Sequence, residues 1–218
     1  MGEGEPFEDQ SLRGAAVRGY LHRADRGDDG LVLTHGAGAN CQAPLLRALA
    51  EAFCTAGVTV LRCDLPFRQI RPHGPPMRGS SERDQEGLRA AVAALRQICD
   101  GAVLLGGHSY GGRQASILSS TDPAIAKGLL LLSYPLHPPQ RPEELRTAHF
   151  PSLRTPAFFV SGERDGFGTR EDLETAMKLI PARTGLMMIP GVGHELIGTK
   201  NRGDLPKMIV ESLLTFSG

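Results

Sequence analysis

The sequence predicts a single doubly wound α/β domain over 1–218, built on a mostly parallel sheet of about six to eight strands with no substantial lid domain. Three observations carry this. Six short runs are almost wholly apolar, which is the composition of strands covered by helices on both faces. Segments with helical spacing alternate with them. Glycine-rich segments bearing polar side chains follow most of the runs, where an open α/β sheet gathers its reactive groups.

The elements follow in order. AAVRGYLHRA at 15–24 alternates imperfectly and predicts an antiparallel edge strand, after which 27–30 turns the chain into the first buried run. Strands are expected at 31–34, 58–63, 102–105, 128–132, 157–161 and 186–189. Crossover helices are expected at 45–53, 87–98, 113–120 and 170–180. A last helix at 204–216 sets Leu205, Met208, Ile209, Leu213 and Phe216 on one stripe, opposite Lys207 and Glu211. Only one strand is legible ahead of the first buried one. The stretch 133–156 holds six prolines in 24 residues, too short and too stiff for a cap domain.

Composition excludes several partners. With 24 basic and 24 acidic side chains, the chain has no net charge to draw it to nucleic acid or to an anionic membrane. No apolar run approaches the roughly 18 residues that span a bilayer, and the acidic start MGEGEPFEDQ carries no export signal, so a cytoplasmic protein with a small-molecule substrate is expected. Oligomeric state is not legible. Cys41, Cys54, Cys63 and Cys99 show no metal or redox spacing and read as reduced thiols; neither a metal nor a cofactor is expected.

The chemistry begins at GGHSYGG, residues 106–112. By composition alone a G-x-S-x-G match turns up in about one such chain in five, so the pattern by itself is weak. Its position between a strand and a helix strengthens it, because Gly107 and Gly111 let the two backbones close around Ser109 and hold it in a strained turn. A serine hydroxyl needs a base, and the base an orienting acid. His194 in GVGH follows the last strand and Asp165 in GERD the one before, so both stand at strand ends beside glycines. Glu163 is the rival acid. The oxyanion donors expected are the backbone amides of Tyr110, next to the serine, and Ala37 in HGAG. His35 and Arg68 are the candidate substrate contacts, each with a loop-ordering alternative, and Arg68 with Asp64 as its local partner. His108 reads as structural, and Arg141, Arg146 and His149 as solvated charge or as attractors of a substrate anion.

HGAGAN, GHSYGGR, YPLHPP and SGERDGFGT, in this order and with GVGH after them, resemble the α/β-hydrolases, and more narrowly the small lid-less bacterial hydrolases distantly similar to dienelactone hydrolases. The resemblance extends over nearly the whole chain. It implies Ser109 as nucleophile, Asp165 as acid, His194 as base, and Ala37 and Tyr110 as oxyanion donors, and it brings no substrate with it. The expected function is a serine hydrolase cleaving a small ester or thioester through an acyl-enzyme. Two alternatives stay open: a catalytically silent member of the fold that binds or scaffolds, and a peptidase with the same three residues. Labelling by a fluorophosphonate probe separates the first from an enzyme.

Overall fold

The computed structural model describes residues 3–10, 16–138, 140–198, 201 and 203–217. Among these, eight strands form one sheet in the order β1-β2-β4-β3-β5-β6-β7-β8. They are β1 (Glu5–Asp9), β2 (Val17–His22), β3 (Gly30–Thr34), β4 (Thr59–Cys63), β5 (Val103–His108), β6 (Leu129–Leu132), β7 (Ala157–Gly162) and β8 (Thr184–Ile189). β1 and β2 run antiparallel to each other, β2 runs antiparallel to β4, and every other pair is parallel. The mostly parallel α/β sheet read from the sequence is therefore the observed one, at the upper end of its strand count.

The helices are α1 (Pro44–Thr55), α2 (Pro66–Ile70), α3 (Ser80–Arg96), α4 (Tyr110–Thr121), α5 (Arg170–Met177) and α6 (Leu205–Ser217). Because successive strand residues point to opposite faces, β6 divides its four leucines between two cores. Leu129 and Leu131 join α3, α4 and α5 on one side. Leu130 and Leu132 join α1 and α6 on the other. Covered on both faces, β3, β4, β5, β6 and β7 are buried at every position, which is why these runs read as continuous apolar segments.

One arginine interrupts this pattern. Arg62 of β4 is fully buried, and its Nε donates to His22 Nε2 at 3.0 Å while its other nitrogens reach the carbonyls of Cys41 and Glu3. The Tyr20 ring lies 5.1 Å from the guanidinium carbon. A buried cation is tolerated when its donors are met, and this one ties the N-terminal strands to the loop carrying Cys41.

Several bounds differ from the sequence reading. β1 was not expected: EPFED has only Phe7 to pack on the core, and its pairing from Glu5 with Leu21 to Asp9 with Val17 is a matter of backbone register that composition does not reveal. The edge strand expected at 15–24 is β2, with Ala15 outside the described residues. α3 starts seven residues before the expected 87, since its first turns, SSERDQE, are polar and show no apolar period. α2 was too short to show a period. β5 continues through Gly106, Gly107 and His108, so the strand runs up to the serine. Among the described residues of 133–156, one 3₁₀ turn at Phe150–Ser152 is the regular structure, and the Tyr134 ring packs against Phe150 and Phe159 to hold the segment on the core. No lid domain rises from it.

Candidate active site

Strand order reverses direction at β3, with β4 on one side and β5 on the other. The crevice past the carboxyl ends of β3 and β5 is the site that doubly wound sheets use. β5 ends there at His108, and α4 begins at Tyr110. Ser109 makes the corner alone, at φ 51° and ψ −115°. The turn is possible because strand and helix touch backbone to backbone: a Cβ on Gly107 would stand 2.7 Å from the Gly112 nitrogen, and one on Gly111 2.6 Å from the His35 carbonyl oxygen. Serine at a helix N-cap usually turns its hydroxyl onto the helix amides. Ser109 makes no such bond, and its Oγ instead lies 2.8 Å from His194 Nε2.

The imidazole arrives from the loop after β8. That loop lies directly on the end of β7, where a Cβ on Gly162 would come within 2.4 Å of the Val192 carbonyl oxygen. Leu196, left-handed at φ 58°, closes the loop by donating its amide to the Gly193 carbonyl. His194 Nδ1 then stands 2.9 Å from Asp165 Oδ2 and 3.0 Å from Oδ1. With Nδ1 facing a carboxylate it carries the proton, so Nε2 is the acceptor for the Ser109 hydroxyl. The Asp165 carboxylate is almost wholly buried and is also held by the Phe167 amide at 3.0 Å. Phe167 stacks on the imidazole with ring centroids 4.2 Å apart. Glu163 is exposed and points to the Gly191 amide. Of the two acids weighed from the sequence, Asp165 meets His194.

The HGAG loop closes over the serine. Gly36 approaches so near that a Cβ on it would lie 3.4 Å from Ser109 Cβ. Neither the Ala37 nor the Tyr110 amide has a protein acceptor among the described residues. Tyr110 is fixed through its side chain, whose hydroxyl donates to Asp84 Oδ2 at 2.7 Å, while Asp84 Oδ1 accepts the Phe67 amide at the start of α2. Burial raises the Asp84 carboxyl above its ordinary range, against the lowering effect of these two bonds. The sequence offered no sign of Asp84, because SERDQE reads as a solvated face.

His35 and Arg68, the candidate substrate contacts, are engaged with groups of the protein itself. The His35 ring is fully buried, donates from Nδ1 to the Gly36 carbonyl at 2.8 Å and accepts the Leu65 amide at Nε2. Burial pushes its pKa down, so it is neutral. Arg68 makes four hydrogen bonds, to the carbonyls of Ala37, Ala39, Arg71 and Gly74, and none to Asp64. Asp64 instead accepts the Cys41 amide at 2.7 Å. Both side chains hold loops by bonds already filled.

The remaining candidates bond to groups other than Ser109, His194 and Asp165. Arg141 pairs with Glu144 at the surface, Arg146 reaches the Pro135 carbonyl at 3.4 Å, and His149 Nε2 bonds the Ser116 hydroxyl. Burial presses His149 down to about 4 and raises the Cys41 thiol to about 12, so neither is charged near neutral pH. Phe167 stood inside a segment the sequence marked, GERDGFG, but an aromatic there gave no sign that it would stack on an imidazole.

Solved structures share this arrangement of elements. A serine hydrolase homologue from Coxiella burnetii superposes with a TM-score of 0.77 at 16% identity, covering 98% of this chain and 99% of its own. Dienelactone hydrolase from Anabaena variabilis does so at 0.73 and 19% identity, covering 97% and 98%. The lid-less serine hydrolase XC6422 from Xanthomonas campestris gives 0.73 at 14% identity, covering 99% and 96%. At such identities the likeness is one of fold. The family model described as alpha/beta hydrolase domain matches residues 27–215, a span that contains every residue of the site above, and the chain belongs to that family.

Proposed function

We propose that the protein is a serine hydrolase that cleaves a small ester or thioester through an acyl-enzyme on Ser109, with His194 as base and Asp165 as the orienting acid. One observation carries the reading: a continuous hydrogen-bonded chain from Ser109 Oγ to His194 Nε2 at 2.8 Å and from Nδ1 to Asp165 Oδ2 at 2.9 Å. Its nucleophilic end sits on a residue held at φ 51°.

Attack of Oγ on the acyl carbon forms the new C–O bond as its proton moves to Nε2. The resulting imidazolium is stabilised by the buried Asp165 carboxylate. Negative charge collects on the acyl oxygen, where the Ala37 and Tyr110 amides are the proposed donors, Tyr110 at the positive end of α4. Collapse expels the alcohol or thiol, which takes the proton from Nε2. Water then attacks the acyl-enzyme with His194 again as base, releases the acid and restores Ser109. A small acyl group is favoured by the proline-rich segment 133–156, whose described residues hold one 3₁₀ turn and pack down through Tyr134 onto Phe150 and Phe159.

A fluorophosphonate probe and short p-nitrophenyl esters test this together. The expected result is labelling of Ser109 alone, with ester turnover in the wild type that falls by about 10⁶ in Ser109→Ala. Labelling elsewhere, or turnover surviving in the alanine variant, overturns it. Absence of both labelling and turnover in the wild type favours the non-catalytic reading.

A further inference from the structure

Among the described residues, three that are not glycine have positive φ: Ser109 at 51°, Ser133 at 46° and Leu196 at 58°. Such conformations are costly for a residue with a Cβ and persist where surrounding structure imposes them. Ser109 is the corner of the elbow between β5 and α4, and Leu196 closes the loop two residues past His194. Ser133, the first residue after β6, has no part in the chemistry described so far.

Its geometry has one evident result. The Ser133 amide stays on the sheet, donating to the Val160 carbonyl at 2.7 Å, while its hydroxyl donates to the carbonyl oxygen of His194 at 2.7 Å. A second donor meets the same oxygen: His108 Nε2, at 2.8 Å. A carbonyl oxygen has two lone pairs, and here both are engaged. His108 is itself closely held, immediately before the nucleophile, with Gly36 so near that a Cβ there would lie 3.0 Å from His108 Nδ1. Burial drives its pKa down, so the ring is neutral and adds no positive charge beside the His194 imidazole, 5.1 Å away between centroids.

We propose that Ser133 and His108 are positioning residues that clamp the His194 carbonyl and thereby set where its imidazole stands between Ser109 and Asp165. The inference rests on the hydrolase reading of Ser109. The clamp ties the base loop to two rigid points, the end of β6 and the elbow itself. Gly191 and Gly193 precede the histidine, and the side chains of Glu163 and Asn201 meet the loop at Gly191, Leu196 and Gly198, on either side of His194 and not at it. A base displaced by about 1 Å loses up to about 10²-fold in rate.

The test uses Ser133→Gly, Ser133→Ala, His108→Leu and His108→Gln in the full chain. The readouts are kcat and KM on p-nitrophenyl acetate, thermal midpoint, and the low-field proton resonance of the His194 Nδ1–H facing Asp165. Ser133→Gly removes the hydroxyl and relieves the left-handed strain at once. It is expected to lower kcat about tenfold with KM within about twofold, to keep or raise the thermal midpoint, and to broaden or move the resonance. His108→Leu lowers kcat similarly, and His108→Gln, which returns a donor near the Nε2 position, recovers most of it. Unchanged kcat and resonance in Ser133→Gly, or a kcat that falls only in step with the thermal midpoint across the variants, overturns the clamp. If the variants disturb the resonance while the wild type neither hydrolyses esters nor labels, the hydrolase reading fails and the clamp stands.

Discussion

The Arg68 guanidinium donates to the carbonyl oxygen of Ala37 at 2.7 Å, so a cation that the sequence offers as a substrate contact holds the loop that lies over Ser109. Its other bonds run to Ala39, Arg71 and Gly74, which joins the HGAG loop to the segment after α2. A lysine keeps the charge and loses the planar fork that reaches several carbonyls together. Arg68→Lys is expected to lower kcat about tenfold or more with little change in KM, and to cost about 2–4 kcal/mol in urea unfolding. A raised KM at unchanged kcat would restore Arg68 as a substrate contact.

Asp165 and Glu163 stand two residues apart and differ in what they face. Asp165→Asn leaves a side chain of the same shape that favours the wrong imidazole tautomer, and turnover is expected to fall about 10⁴-fold. Glu163→Gln removes an exposed carboxylate whose contact is the Gly191 amide at 3.3 Å, and its effect on turnover is expected to stay within about twofold. Steady-state kinetics on one ester decides between them. Equal losses in the two variants would contradict the assignment.

The elbow has no room for a methyl group. In Gly111→Ala the new Cβ would stand 2.6 Å from both the His35 carbonyl oxygen and Thr34 Cγ2, one of them backbone. The strand and the helix must separate to admit it, which is expected to destabilise the fold by about 3 kcal/mol or more. Ser109→Gly should act in the opposite sense, raising the thermal midpoint while abolishing turnover, because glycine accepts φ 51° without strain. Differential scanning calorimetry of the two variants reads both effects.

Stability should fall in mild acid through two histidines, His22, which is buried, and His149, which is partly buried. His22, which accepts Arg62 Nε at 3.0 Å, is lowered from its ordinary value near 6.5 to about 4 by burial and then by the Arg62 charge; burial, then the Arg113 charge, takes His149 to about 4. In both cases the unfolded chain takes up the proton first as pH drops. The stabilisation is therefore complete above about pH 6.5 and is lost progressively down to about 4, up to about 3 kcal/mol for His22 and less for the more exposed His149. His22→Gln should flatten its share of the slope between about pH 7 and about pH 4.5 in urea titrations. A slope unchanged in that variant would remove His22 from the account.

Much of the site was legible because it follows strand ends. GGHSYGG, GERD and GVGH are local signatures, and a parallel sheet brings the carboxyl ends of its strands to one edge however far apart they lie in the chain. That is why Ser109, Asp165 and His194 emerged in order. Ser133 and Asp84 escaped for the opposite reason. One is a serine after four leucines and the other an acid in a polar run, and the partners of each lie 61 and 26 residues away. β1 escaped likewise, since EPFED becomes a strand only by pairing with β2.

By itself the sequence determined what its periodicity and short-range sterics impose: buried apolar strands between amphipathic helices, and glycines at the corner where Ser109 turns. The tertiary structure decided what depends on distant backbone. It set Asp165 rather than Glu163 against the imidazole and turned Arg68 and His35 inward onto carbonyls and amides. It also placed two donors on the His194 oxygen. Hydrogen bonds of this kind are formed by directions and distances of about 3 Å, and these arise only once the sheet has fixed its register.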